Sequence, residues 1–203
     1  MVWLEVETKS KVENATALRK KILAIAEHEK TESRGDDYFR MTGSKYPKKA
    51  FRIRFDGKKY KVNFKKHINK LYSDGIVVKE EYEFTLTDIP HIDNFVALLE
   101  DMGFEEWVKK RKHTESYLYK KDKRAVIEIN HVEHVGTYME IEYLSKPSEV
   151  PKAKKVILKI MNELGVKKSD IDNVGYTRRL FDKGIKDKKY FITNKFKKKE
   201  SLK

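Results

Sequence analysis

A chain of 203 residues that is 39% hydrophobic and 38% charged, with a formal charge of +14, can bury one domain core while carrying an unusual positive excess. An anionic partner or substrate is therefore expected. The absence of cysteine excludes disulfides and thiolate metal sites, and the lack of any apolar run of membrane-spanning length points to a cytoplasmic protein with no membrane partner.

The first element is a strand, "WLEVETKSKV", in which Glu5, Glu7 and Lys9 alternate with Leu4, Val6 and Thr8. Asn14 then caps a helix predicted through "ATALRKKILAIAEHEK", where Leu18, Ile22, Ile25 and Ala26 recur at helical spacing. Four short alternating segments follow, "DDYFRM", "KAFRIRF", "KYKVNFKKH" and "IVVKEEYEFTL", with Asp56-Gly57 and Asp74-Gly75 as turn signals. A second helix is expected from Ile89 to near Gly103, with Pro90 in its first turn and Ile92, Phe95, Val96 and Leu99 on one side. Three more strands are predicted in "EEWVKKRKHTESYLY", "RAVIEINHV" and "GTYMEIEYL". Pro151 opens a third helix that Gly165 closes, and a short helical piece lies around "VGYTRRLF". One domain over 1–181 is expected, followed by a lysine-rich tail, 182–203.

Residues i and i+2 of a strand share a face. The polar faces then read Glu5, Glu7 and Lys9; Arg52 and Arg54; Lys61, Asn63 and Lys65; Lys79, Glu81 and Glu83; Lys109 and Arg111; Glu128 and Asn130; Glu140 and Glu142. The opposite faces are apolar and supply the surface that three amphipathic helices need to cover. Closing about eight such strands with the apolar side outward gives an α+β fold, a closed antiparallel eight-stranded β-barrel with helices outside and a charged lumen. Charges so confined require partners. A divalent cation suits the glutamates and a polyphosphate suits the lysines and arginines.

At this point the motifs resemble the CYTH superfamily, or triphosphate tunnel metalloenzymes, which includes class IV adenylyl cyclases, thiamine triphosphatases and inorganic triphosphatases. The resemblance covers about residues 2–181. It rests on Glu5-Val6-Glu7-Thr8-Lys9 as the E-x-E-x-K signature, Asp36, Tyr38 and Phe39 in "DDYF", Arg52 and Arg54 in "FRIRF", and Lys65 in "VNFK". Glu81 and Glu83 in "VKEEYEF" and Glu140 and Glu142 in "VGTYMEIEY" follow in order. The family's Lys-x-Arg strand is taken as Lys109 and Arg111, from a run of four basic residues that leaves a one-residue slip open. Two departures stand out: Asn130 lies where the family often has an aspartate, a role Glu128 on the same face could take over, and Gly175-Tyr176 replaces a Ser-Tyr pair.

The resemblance implies a metal-dependent triphosphatase acting on tripolyphosphate, ATP or thiamine triphosphate. Its metal ligands would be Glu5, Glu7, Glu81, Glu83, Glu140 and Glu142, its triphosphate grip Lys9, Arg52, Arg54, Lys65, Lys109 and Arg111, and its catalytic set Lys65, Glu81 and Glu128. One Mg2+ or Mn2+ ion would bridge phosphate oxygens and a second could lower the pKa of the attacking water, the number of metals being open. A class IV adenylyl cyclase, making cyclic AMP and pyrophosphate from ATP, is the alternative reading. A non-enzymatic polyphosphate or nucleic-acid binder is a third, suggested by the charge and by "KFKKK", although nucleic acid is not expected as the specific ligand. Monomer and homodimer both remain open. His131 and His134 are expected to be exposed, and Trp3 and Trp107 to face helices in the core.

Overall fold

The computed structural model describes residues 3–55 and 59–185. The Asp56-Gly57 turn and the tail beyond residue 185 lie outside the described residues. Eight strands run β1 Leu4–Lys11, β2 Ala26–Met41, β3 Phe51–Phe55, β4 Tyr60–His67, β5 Val77–Leu86, β6 Phe104–Tyr119, β7 Ala125–Val132 and β8 Gly136–Ser145. They close into an antiparallel barrel in the order β1-β5-β4-β3-β2-β6-β7-β8. The helices outside it are α1 Ala15–Ile25, α2 Ile89–Asp101, α3 Val150–Leu164 and α4 Tyr176–Asp182. None of the described helices is long and apolar enough to cross a membrane.

The chain divides into two compact units. One comprises residues up to 33, 65–81 and 112–174. Its core sets Val6, Val78, Ile127, Ile141 and Tyr143 of the strands against Ile22 of α1 and Ile157 and Ile160 of α3. The other comprises 34–64, 82–111 and the chain from 175. Here Phe39, Ile53 and Val62 pack beneath Ile92, Val96 and Leu99 of α2. In both, the apolar parity of the strands goes to the helices, so the opposite parity is left to the charged residues.

Local signals account for the helix boundaries. Asn14 Oδ1 accepts from the Ala17 amide at 2.9 Å, and Asp88 caps α2 in the same way through His91 N–H at 2.9 Å. Gly165 closes α3 at φ 73°, a left-handed conformation that glycine adopts without side-chain clash. Two expectations are corrected. Helix α1 stops at Ile25 and "AEHEK" begins β2. The apolar stripe ends at Ala26, and the Lys120 amide and ammonium bind the last carbonyls, those of Ile25, Leu23 and Ala24. Trp3 is 40% exposed instead of buried, because it shares the odd parity of Glu5 and Glu7 and not that of Leu4 and Val6. Trp107 is buried, and His131 and His134 are exposed as expected.

Candidate metal and phosphate site

The acidic part of the site is built by register. Strand β8 pairs Glu142 with Glu7 and Glu140 with Lys9 on β1, and Glu140 with Glu128 on β7. Side chains directly opposite on antiparallel strands stand close together, and like charges there repel unless a cation intervenes. Two groups of carboxylates result, Glu5, Glu7 and Glu142, and Glu128, Glu140 and Glu142, each with ligand oxygens within 4.8 Å of one another. Glu142 belongs to both.

Lysines from neighbouring strands meet these acids. Lys65 of β4 binds Glu5, and Lys79 of β5, opposite Glu5 in register, binds Glu7. Lys112 Nζ lies 3.1 Å from Glu128 Oε2 and 3.8 Å from Glu140 Oε2. Burial alone would raise the Glu5 pKa, but Lys65 and Lys79 outweigh it and hold Glu5 well below the usual carboxylate range. Glu7 is pushed up to about 7 by burial and by Glu5, against the pull of Lys79. Glu142 is raised well above its ordinary value by burial and by Glu5, Glu128 and Glu140. Lys9 is lowered to about 8 by burial; its ammonium donates to the Val174 carbonyl and lies 5.5 Å from the Tyr138 ring centre.

The basic part is organised around one acid. Asp36 on β2 is fully buried and stands opposite Arg54 in register. It accepts from Arg54 Nε at 2.5 Å and Nη2 at 3.0 Å, and from Arg52 Nη1 at 3.4 Å. Lys110 Nζ lies 2.8 Å from Oδ2, the oxygen that also takes Arg54 Nη2 and Arg52 Nη1, and 3.3 Å from the Tyr38 hydroxyl. Burial opposes ionisation, yet Lys110, Arg52 and Arg54 together keep Asp36 well below its ordinary range. Tyr38 is likewise lowered, burial being outweighed by Lys110. The arginines retain partial exposure, 14% and 16% of their side chains.

The structure thus brings Glu5, Glu7, Glu140, Glu142 and Glu128 together, with Lys65 among them, and gathers Arg52 and Arg54 around Asp36. Glu81 belongs to neither carboxylate group and lies 3.8 Å from Lys65, the lysine bound to Glu5, and Glu83 pairs with Lys61 at 3.2 Å while 40% exposed. On β6 the expected face is shifted by one residue. Thr114 pairs with Asn130 and Ser116 with Glu128, so the even positions, including Lys110 and Lys112, share the acids' face. Lys109 and Arg111 have the opposite parity, and Lys109 binds Asp37. A run of four basic residues carries no period of two, so only the partner strand fixes its phase. Lys79, Lys110 and Lys112 were absent from the expected site set. Lys79 was legible as a same-face neighbour of Glu81, whereas nothing local marked the other two.

The sequence profile of the CYTH domain matches residues 4–176. The chain belongs to the CYTH family. No curated protein matches. Among solved structures, the CYTH chain is similar to the PH1819 protein of Pyrococcus horikoshii OT3, at 28% identity and TM-score 0.70 over 88% of this chain and 99% of that one. The fold is also shared with a proposed adenylate cyclase from Vibrio parahaemolyticus, at 14% identity and TM-score 0.65 over 87% and 97% of the two chains. A third is HpAC1 of Hippeastrum, a proposed adenylyl cyclase with a dominant triphosphatase activity, at 20% identity and TM-score 0.58 over 89% and 96%. CYTH proteins are metal-dependent, and the residues present fit a hard cation. The donors are all carboxylate oxygens, and Glu5 Oε1 is buried without a hydrogen-bond partner, with Lys79 Nζ 3.7 Å away.

Proposed function

We propose that this CYTH protein is a cytoplasmic triphosphatase that uses Mg2+ or Mn2+ to hydrolyse tripolyphosphate or the triphosphate of ATP or thiamine triphosphate. The observation that carries this reading is the presence of two opposite charge sets, one in each unit: a buried carboxylate group with an unsatisfied oxygen, and a set of partly exposed arginines around Asp36. Surface binding of a polyanion would not require the first set, and a purely structural ion-pair network would not leave that oxygen unmatched.

When bound at Glu5, Glu7 and Glu142, a divalent cation supplies Lewis acidity toward phosphoryl oxygens. The remaining work falls to the chain. Arg54, whose plane Asp36 sets through two hydrogen bonds, and Arg52, tethered by one, present forked donors that suit phosphate oxygens. Lys9, Lys65, Lys79, Lys110 and Lys112 offset charge on the phosphate chain, a task now given to Lys110 and Lys112 in place of Lys109 and Arg111. Water adds to the terminal phosphorus as the anhydride P–O bond breaks, giving phosphate and pyrophosphate or a diphosphate. Of the expected catalytic set, we assign the water's proton to Glu81 and the leaving oxygen to Lys65, its neighbour at 3.8 Å. Glu128, held by Lys112, Asn130 and Ser116, fixes the Lys112 ammonium and does not accept the proton. Electrostatics and positioning, rather than covalent chemistry, then lower the barrier.

The test is a panel of tripolyphosphate, ATP and thiamine triphosphate with either metal, its products separated, run beside Glu5→Gln. Metal-dependent phosphate release that this variant loses while still folded is the expected result. No phosphate from any of the three would refute the reading. Cyclic AMP with pyrophosphate from ATP would replace hydrolysis with cyclisation.

A further inference from the structure

The two carboxylate groups are not alike. In the group around Glu128, this chain's own donors fill the space between the acids. Asn130 is fully buried, and its Nδ2 donates to Glu128 Oε2 at 3.1 Å and to Glu140 Oε2 at 2.8 Å. Its Oδ1 accepts from Thr114 Oγ1 at 2.7 Å. Turning the amide over would aim its oxygen at two carboxylates, so the observed orientation is the one the surroundings permit. Ser116 Oγ donates to the other Glu128 oxygen at 3.2 Å, and the Lys112 ammonium, also buried, completes the set. Both oxygens of Glu128 and one of Glu140 are therefore committed, and a positive charge already stands between them.

Around Glu5 the lysines leave room. Lys65 hydrogen-bonds Oε2 of Glu5 and Lys79 hydrogen-bonds Oε1 of Glu7, with Lys79 Nζ a further 3.7 Å from Glu5 Oε1, too far for a hydrogen bond. Glu5 Oε1 remains buried without a hydrogen-bond partner. Ammonium groups face both carboxylate groups, but an ion entering beside Glu5 meets an oxygen with no hydrogen bond to break, whereas an ion entering beside Glu128 must break the hydrogen bonds from Asn130, Ser116 and Lys112 in a site of low dielectric.

We propose that this chain holds a single divalent cation, at Glu5, Glu7 and Glu142, and that the Lys112 ammonium, locked by Glu128 and supported by Asn130, is the fixed positive charge of the second carboxylate group. A residue of the protein thereby stands where a second metal ion could have been. It rests on the metal reading of the site given above and says nothing about which triphosphate is used.

Manganese binding tests it without substrate. Equilibrium dialysis against Mn2+, with free ion counted by its paramagnetic resonance signal, should give one ion per wild-type chain. Glu5→Gln should weaken that ion roughly 10-fold or more, in the range expected for loss of a ligand or its support. Glu128→Gln, which keeps the shape and most of the hydrogen bonds, should leave it within about threefold, because Glu128 then touches no metal. The Asn130→Asp, Lys112→Met pair should gain a second ion, having exchanged an amide and an ammonium for a carboxylate and an apolar chain. Two wild-type ions of similar affinity, or loss of the single ion in Glu128→Gln, would overturn the proposal. A wild-type chain that binds none would overturn the metal reading itself, which separates the two failures.

Discussion

Replacing Asp36 by Asn keeps the size of the side chain and removes the only charge that Arg52, Arg54 and Lys110 share in the described contacts. Four polar contacts of 2.5–3.4 Å are affected, and the new amide would turn a donor toward cations. Removing one member of a buried ion pair costs about 3–5 kcal/mol, since the partner charges stay behind without compensation. The partial exposure of the arginines, 14% and 16%, lets water relieve some of this, so the lower half of that range is expected. At about 2–4 °C per kcal/mol for a chain of this size, the melting temperature should fall by roughly 6–16 °C. Tripolyphosphate can supply the missing negative charge, so it should raise the melting temperature of the variant more than that of wild type. Ligand at a hundredfold excess over Kd contributes about 2.7 kcal/mol. Acid supplies a second check. The folded pKa of Asp36 lies below its ordinary 3.8, so its contribution is complete above 3.8 and is lost as pH falls toward the folded value. The gap between wild type and variant should therefore close in strong acid. Calorimetry of both proteins, with and without tripolyphosphate, reads all three effects. A fall of less than about 2 °C, under 1 kcal/mol, would refute the view of Asp36 as the organising charge.

Two smaller predictions concern the helix-bearing unit around β1. Arg19 holds Glu115 through two hydrogen bonds and lowers its pKa from 4.5 to about 2. This stabilisation is complete above pH 4.5 and disappears between there and 2, and because the pair is partly solvated it should amount to at most about 1 kcal/mol, measured as an acid-dependent difference between wild type and Arg19→Met. Gly75 has φ 73°, and a Cβ there would press on Ile171. Gly75→Ala should cost on the order of 1–2 kcal/mol for the backbone alone and more for the collision, and denaturant titration should show Ile171→Ala returning only the collision part; full recovery would contradict the backbone contribution.

Much of this fold was legible because two periods seldom conflict. Strands with Glu, Lys and Arg on one parity and Val, Ile and Tyr on the other have a single sensible closure once helices must be covered. Where the signal failed, the cause was local. "AEHEK" carries polar residues on both sides, so nothing in it distinguishes one more turn of helix from the start of β2, and the decision lies with Lys120, 95 residues away from Ile25 in sequence. "KKRK" has no alternation at all, and its phase comes from Asn130 and Glu128 across the strand pair. The carboxylates were found because they recur at i and i+2. Which lysine answers which acid was not, because that depends on register between strands far apart in the chain.

The lysines that answer the acids also explain how so much charge is tolerated. An unpaired carboxylate buried to the extent of Glu5, 5% exposed, would protonate rather than remain charged. Paired with Lys65 it stays ionised, while Glu7 and Glu142, with more acid around them, are driven toward the protonated form. Much of the acid charge in the free site is thus met by internal pairing. On the proposed reading, Lys65 and Lys79 would release Glu5 and Glu7 to hold a cation, and their ammonium groups would turn to the phosphate oxygens of the triphosphate. Each displaced pair is replaced by a pair of the same kind, so binding need not pay a second time for desolvating the charges. Lys112 differs because its acid has no oxygen left to give. It keeps its partner throughout, and for that reason it serves better as a fixed charge than as a ligand that changes hands.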